Sequence, residues 1–388
     1  MFLNKYLNIL FSYIKYSNNL VIKNLKMSKL CEGGEGMQSS PWLEFWPEAE
    51  LETVSGCPIC GGGGGQNILH ENLIDNVFFV AQGAWTLYQC LGCASAYLNP
   101  RPSPQSIGKA YGTYYTHKRA PSQVELAKLS LFRRLRRMLA NGYLNCRYGA
   151  KREPSSRFGT WLVKLLPAQR SVLDMQYRYL PKPTRGQRLL DVGCGNGDFL
   201  VNAIEAGWLV TGLEPDAKAA KAAQERGLDI VVGVIDVLAE ESCVYDVITL
   251  SHVIEHVHEP RQLLQSVHRL LKPGGVVYID TPNINSFGAE LFKQNWRGIE
   301  TPRHLVLFTH SSLETLLIDN GFGEIVIERR ADVQKGMFLI SKQLAAACPQ
   351  GDSQSLNLNW FNQFRMNAAF VKTNKLEYIT LTARKTKS

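Results

Sequence analysis

The chain has 388 residues, 45% of them hydrophobic and 20% charged, with a formal net charge of +9. This is the make-up of an ordinary soluble globular protein with room for two domains, not of a biased or disulfide-framed chain. Nine cysteines without a secretory signal point to a reducing, cytoplasmic setting, where clustered cysteines bind metal and do not pair.

The positive charge is uneven. Residues 1–36 hold five lysines against two glutamates, and residues 121–155 hold eight basic side chains against Glu125 and Glu153. The second cluster suits phosphate in a nucleotide, a lipid headgroup or RNA, or simply a solvated helix face. Residues 1–50 read as a leader. Its apolar part, Tyr6 to Ile22, is broken by Lys15, Asn18 and Asn19, too short and too polar to span a bilayer. An amphipathic surface helix is one reading. The preferred one is that Met27 or Met37 starts the native protein.

Residues 51–105 read as a separate unit. Cys57-Pro58-Ile59-Cys60 is followed about 30 residues later by Cys90-Leu91-Gly92-Cys93. Each pair makes a knuckle, and two knuckles supply the tetrahedral sulfur set of a structural zinc ribbon. Between them, 77–80 and 86–89 are expected as strands, and Gly61 to Gly65 as a flexible tip. Residues 106–184 read as a helical linker or lid, with Val124, Ala127, Leu131, Leu135 and Met138 at helical spacing.

From 185 to 388, strands alternate with helices, the pattern of a parallel sheet covered on both faces. Strands are expected at 188–192, 208–213, 229–233, 246–250, 275–280, 324–329 and 377–383, and helices near 198–206, 216–226, 261–271 and 311–320. Residues 332–376 would be an insertion before the last strand. The key turn is Asp191-Val192-Gly193-Cys194-Gly195-Asn196-Gly197, where glycines at alternate positions let a ligand approach the backbone. Glu214, at the tip of the next strand, is spaced to bind the two hydroxyls of a ribose.

Together with Glu214-Pro215-Asp216, Tyr245 to Leu250, and Leu271-Lys272-Pro273-Gly274-Gly275, this turn resembles class I S-adenosylmethionine (SAM)-dependent methyltransferases of the type 11/12/23 kind. The resemblance implies an α/β, Rossmann-like, seven-stranded sheet with its last strand antiparallel. It also implies SAM as cofactor. Asp191, Gly193, Cys194, Gly195 and Gly197 would hold its methionine part, Glu214 its ribose and Asp236 its adenine, with Pro215 also among the cofactor-binding residues, and Ser251 would contact it through its backbone. The cysteine pairs, Asn99-Pro100-Arg101-Pro102, Tyr111 and Tyr115 are similar to a bacterial subgroup with an N-terminal zinc ribbon that acts on sugars and polysaccharide precursors. In that ribbon, Ala94 stands where glycine is usual.

Methyl transfer needs an acceptor placed in line and, for a hydroxyl, a base. His256 is the first candidate base, with Glu255 beside it and His304 as a second base or hydroxyl contact; Tyr111, Tyr114, Tyr115 and Asn283 are pocket candidates. His252, Glu255 and His256 also resemble the Glu-x-x-Glu-His metal cluster of ubiquinone-pathway and small-RNA O-methyltransferases, with His in place of the first Glu; the expectation here is no catalytic metal. The acceptor is expected to be a hydroxyl or carbon of a sugar-like small molecule. One rival is an RNA methyltransferase, which the missing Asn/Asp-Pro-Pro-Tyr motif and stacking platform disfavour. The other is a non-catalytic SAM-binding partner protein, which the intact glycine loop and Glu214 disfavour.

Overall fold

A computed structural model describes residues 45–62, 65–112, 130–330, 333–347 and 372–386. Residues 1–44 of the leader, Tyr114, Tyr115, Val124 and Ala127 lie outside the described residues, as do parts of the glycine tip and of the 332–376 insertion.

The N-terminal part carries β1 (Leu51–Glu52), β2 (Gln66–Leu73), β3 (Trp85–Cys90), β4 (Ala96–Leu98) and β5 (Arg101–Pro102). Three helices follow: α1 (Leu131–Tyr148), α2 (Gly159–Lys164) and α3 (Pro167–Met175). Then come β6 (Arg188–Val192), α4 (Asp198–Ala206), β7 (Leu209–Glu214), α5 (Ala217–Gln224), β8 (Ile230–Val232), β9 (Tyr245–Ser251), α6 (Pro260–Leu270) and β10 (Leu271–Pro282). The chain closes with α7 (Phe287–Phe292), β11 (Val306–Leu307), α8 (His310–Asp319), β12 (Phe322–Glu328), α9 (Gln334–Ala347) and β13 (Tyr378–Lys385).

The main sheet has seven strands in the order β12-β13-β10-β9-β6-β7-β8. The pairs from β10 through β8 are parallel, and β13 runs antiparallel to both of its neighbours. This is the expected Rossmann-like architecture. The order reverses at β6, so the crevice above its carboxyl end is where such sheets bind ligands. The paired runs Leu189–Val192 and Val247–Leu250 are continuous apolar stretches broken by Asp191 and Thr249, as strands covered on both faces require.

Two clusters of buried side chains cover the sheet. One lies under α6 and α8 and includes Leu264, Val267, Leu313 and Leu317. The other joins Tyr143, Tyr148 and Val163 of α1 and α2 to Leu200 and Ala203 of α4 and to Tyr278 of β10. The described helices of the linker therefore pack on a sheet face, and the turn after α3 places Arg178 against Asp191 and Thr249 of β6 and β9.

The N-terminal unit expected as a zinc ribbon differs from expectation in two respects. Residues 77–80 form turns, not a strand, and the missed strand is β2. The cause is Asp75. Its carboxylate is buried and accepts from the backbone N–H groups of Phe78, Val80 and Ala81 at 3.0–3.1 Å, which curls that apolar run around an anion. The second difference is that the ribbon sheet, ordered β11-β4-β3-β2, borrows β11 from the C-terminal half. Val306 and Leu307 pair with Tyr97 and Ala96. A third apolar cluster seals the seam with Leu87 and Leu98 of the ribbon, Trp296 and Leu305 beyond it, and Met337 and Phe338 of the insertion helix α9.

Candidate active site

The turn after β6 has left-handed backbone at Gly193, Gly195 and Gly197, with φ of +67°, +56° and +78°. Side chains there would be strained whatever the space available. A Cβ on Gly193 would press on Val253 at 2.8 Å, one on Gly197 on Leu228 at 2.2 Å, and one on Gly195 would meet open space. The middle of the turn is therefore bare main chain facing an open crevice. Glu214 stands against it, with one carboxylate oxygen accepting from the Gly195 N–H at 2.8 Å and the other from the Asp216 N–H at 2.9 Å. Burial raises its pKa, and those two N–H donors oppose the shift.

Asp191 is buried and pairs with Arg178, and Thr249 donates to it at 2.8 Å. Its other oxygen is buried without a hydrogen-bond partner. Asp191 thus holds Arg178, whose guanidinium lies 3.7 Å over the Phe199 ring next to the glycine turn. The sequence reading missed Arg178. The available signal was an isolated Arg between two tyrosines just ahead of the first strand. Pro215 and Asp236 are exposed, and Ser251 is half-buried where β9 ends. Cys194 is buried, with its thiol pushed up in pKa by burial, so it packs beneath the turn.

Beyond β9 a short turn carries Ile254–His256. Val253, three residues before His256, is the side chain lying against Gly193, so this turn borders the same crevice. His256 Nδ1 lies 3.0 Å from the Arg303 carbonyl and 3.0 Å from the Tyr111 hydroxyl. A carbonyl only accepts, so Nδ1 carries the proton and the lone pair is on Nε2. The same logic applies to His304, whose Nδ1 lies 2.7 Å from the Gly298 carbonyl. Its ring is buried, and that burial lowers its pKa to about 4, keeping it neutral. The two rings meet edge to face at 4.8 Å.

Glu255 is fully buried. Burial would raise its pKa, but the hydrogen bond from His252 and the imidazoles around it hold it at about 2. Thr281 donates to it at 3.0 Å. One ligand atom each from Glu255, His256 and His304 lies within 4.8 Å of the others. The structure thus brings together three side chains from two chain segments. Two imidazoles and a carboxylate can take a proton from an acceptor, or close on a divalent cation of the zinc or manganese kind.

Asn283 is not a pocket residue. Its side chain is buried and spent on the Leu376 and Asn374 carbonyls and the Asn285 N–H. Trp296 and Arg303 are structural as well. Trp296 donates to Glu377 at 2.6 Å, and Arg303 pairs with Asp75.

In the ribbon, Cys57 and Cys93 have their sulfurs 3.7 Å apart, as do Cys60 and Cys90. All four lie within 4.8 Å of one another. These gaps are too long for a disulfide of about 2.05 Å. They match the edges of a tetrahedron with metal–sulfur bonds of about 2.3 Å. Ala94 sits in left-handed backbone with φ +59°, which accounts for the glycine usual there.

Residues 167–325 match the family model of a methyltransferase domain. A ubiquinone biosynthesis O-methyltransferase of Paracidovorax citrulli is 39% identical over 112 residues, covering 27% of this chain and 47% of that protein. One from Caulobacter vibrioides is 38% identical over 108 residues, covering 26% and 43%. The chain thus spans under half the length of these curated relatives. A solved SAM-dependent methyltransferase from Archaeoglobus fulgidus overlays 60% of this chain and 95% of its own, at 20% identity and a TM-score of 0.38. The glycine turn and the acid at the tip of β7 both lie within residues 167–325, the stretch that matches a methyltransferase domain.

Proposed function

We propose that the protein transfers the methyl group of SAM to a hydroxyl of a small-molecule acceptor. The observation that supports this most directly is the meeting of His256, His304 and Glu255 beside the open crevice that Gly195 and Glu214 border. SAM is already activated at sulfur, so the chain's work is placement, exclusion of water and removal of a proton. The Gly193–Gly197 turn takes the methionine part, Glu214 the ribose hydroxyls, and Asp236 the adenine edge. Arg178, fixed by Asp191 and Thr249, adds positive charge near the methionine carboxylate. His256 Nε2 accepts the acceptor's proton, and the ionised Glu255 stabilises the imidazolium that forms. The same three groups fit a divalent cation, which when bound would lower the pKa of the acceptor hydroxyl.

Oxygen as the methylated atom is supported by the O-methyltransferase relatives. A sugar or sugar nucleotide is the class implied by the resemblance to ribbon-bearing methyltransferases. Zinc on Cys57, Cys60, Cys90 and Cys93 is structural, because four protein thiolates leave no open position.

Labelled SAM with a panel of nucleotide sugars and phenolic metabolites tests the reading, with and without a chelator. Methylated product is expected, with the label on oxygen. His256→Ala is expected to lower kcat about 100-fold or more while leaving SAM affinity unchanged. Unaltered turnover in that variant would refute the role of His256.

A further inference from the structure

Ten basic residues and one acid lie between 131 and 170, so these forty residues carry a net charge equal to that of the whole chain. They form α1, α2 and the start of α3. α1 and α2 are locked together by glycines: a Cβ on Gly142 would meet the Ser156 carbonyl at 1.8 Å, and one on Gly159 the Leu139 carbonyl at 1.8 Å.

The inner faces of these helices are packed, through Tyr143, Leu144 and Val163. The outer faces are unpacked and carry large apolar side chains among the basic ones. Leu131 is 83% exposed, Phe132 63%, Phe158 76%, Trp161 79% and Leu165 76%. At 100° per residue, Phe158, Trp161, Leu162 and Leu165 share one stripe of α2, with Lys164 at its edge. On α1, Leu131, Leu135 and Phe132 form a stripe flanked by Arg134 and Arg136. Arg133, Arg134, Arg136, Arg137 and Lys164 make no ion pair with a described residue.

An apolar stripe rimmed by unpaired arginines and bearing an exposed tryptophan has the chemistry of a surface that rests in a lipid headgroup layer. No helix of the described residues is long and apolar enough to cross a membrane. We propose that the outer face of α1 and α2 docks on an anionic membrane surface, with Trp161, Phe158 and Leu165 entering the headgroup region and the arginines meeting lipid phosphates. Arginine suits this role because its planar fork binds phosphate in bidentate fashion.

Flotation of the full chain with phosphatidylcholine vesicles, and with vesicles containing added phosphatidylglycerol, tests the proposal. Binding is expected only to the mixed vesicles, with release at high salt. The double variant Arg133→Glu, Arg134→Glu is expected to weaken it about tenfold or more. Trp161→Glu with Leu165→Glu is expected to abolish it, with SAM affinity by calorimetry unchanged, since these exposed side chains touch neither the crevice nor the core. Three results would overturn the proposal. One is equal binding, or none, to both vesicle types. A second is a dimer in light scattering that Trp161→Glu dissociates, which makes a second copy the occupant. The third is tighter binding to single-stranded RNA that is lost with the arginines and indifferent to Trp161. Each leaves SAM binding intact, so a failed docking surface is distinguishable from a failed methyltransferase.

Discussion

Arg303 and Asp75 form an ion pair with both side chains fully buried, at 2.5 and 2.9 Å. Asp75 belongs to the ribbon, and Arg303 immediately precedes His304 of the candidate active site. Arg303 also donates to the Ala110 carbonyl at 3.0 Å, and its own carbonyl holds His256 Nδ1. The N-terminal unit is thus tied, through Arg303, to the carbonyl that holds His256.

Removing one partner of a buried pair strands the other charge, so Asp75→Asn is expected to cost about 3–5 kcal/mol. Denaturant unfolding measures it. Adding Arg303→Met should restore part of that loss, and the double variant should still bind SAM while turning over slowly.

The ribose assignment rests on Glu214. Glu214→Gln keeps the shape and removes the charge-assisted acceptor. An affinity loss for SAM of about tenfold to a hundredfold is expected by calorimetry. Full affinity would remove Glu214 from the cofactor site.

Glu377 gives a pH signature. It is buried and accepts from Trp296 Nε1 and the Gly288 N–H, and burial pushes it up to about 7 against those two donors. Its folded pKa lies above its ordinary value of 4.5, so between the two the native state binds the extra proton. Stability is therefore fullest below pH 4.5 and falls as pH rises to about 7, by up to about 3 kcal/mol from this group. Urea midpoints across that window should decline less steeply in Glu377→Gln than in the parent; parallel curves would exclude this carboxyl as the source.

The zinc proposed for the four cysteines makes two predictions. Elemental analysis should find one zinc per chain, and chelation should unfold the ribbon and lower turnover with it. Ala94→Gly, relieving left-handed backbone, should raise the melting temperature by an amount worth about 1 kcal/mol. No gain would mean that the turn is already relaxed.

The sequence by itself determined the catalytic sheet. Apolar runs ending in Asp191, Glu214 and Ser251, separated by amphipathic stretches, specify strands and helices through local periodicity, and the glycine turn through backbone angles closed to other residues. The four ribbon cysteines were legible for the same local reason, because each knuckle is set by a spacing of three. Tertiary structure decided what periodicity does not encode. Val77 to Val80 reads as a strand until the buried carboxylate of Asp75 claims its N–H groups, and that carboxylate is there because Arg303, more than two hundred residues away, neutralises it. His304 meets His256 by the same kind of placement, across nearly fifty residues. Charges buried in a low-dielectric interior must find partners wherever the fold brings them, and chain distance does not enter that energy.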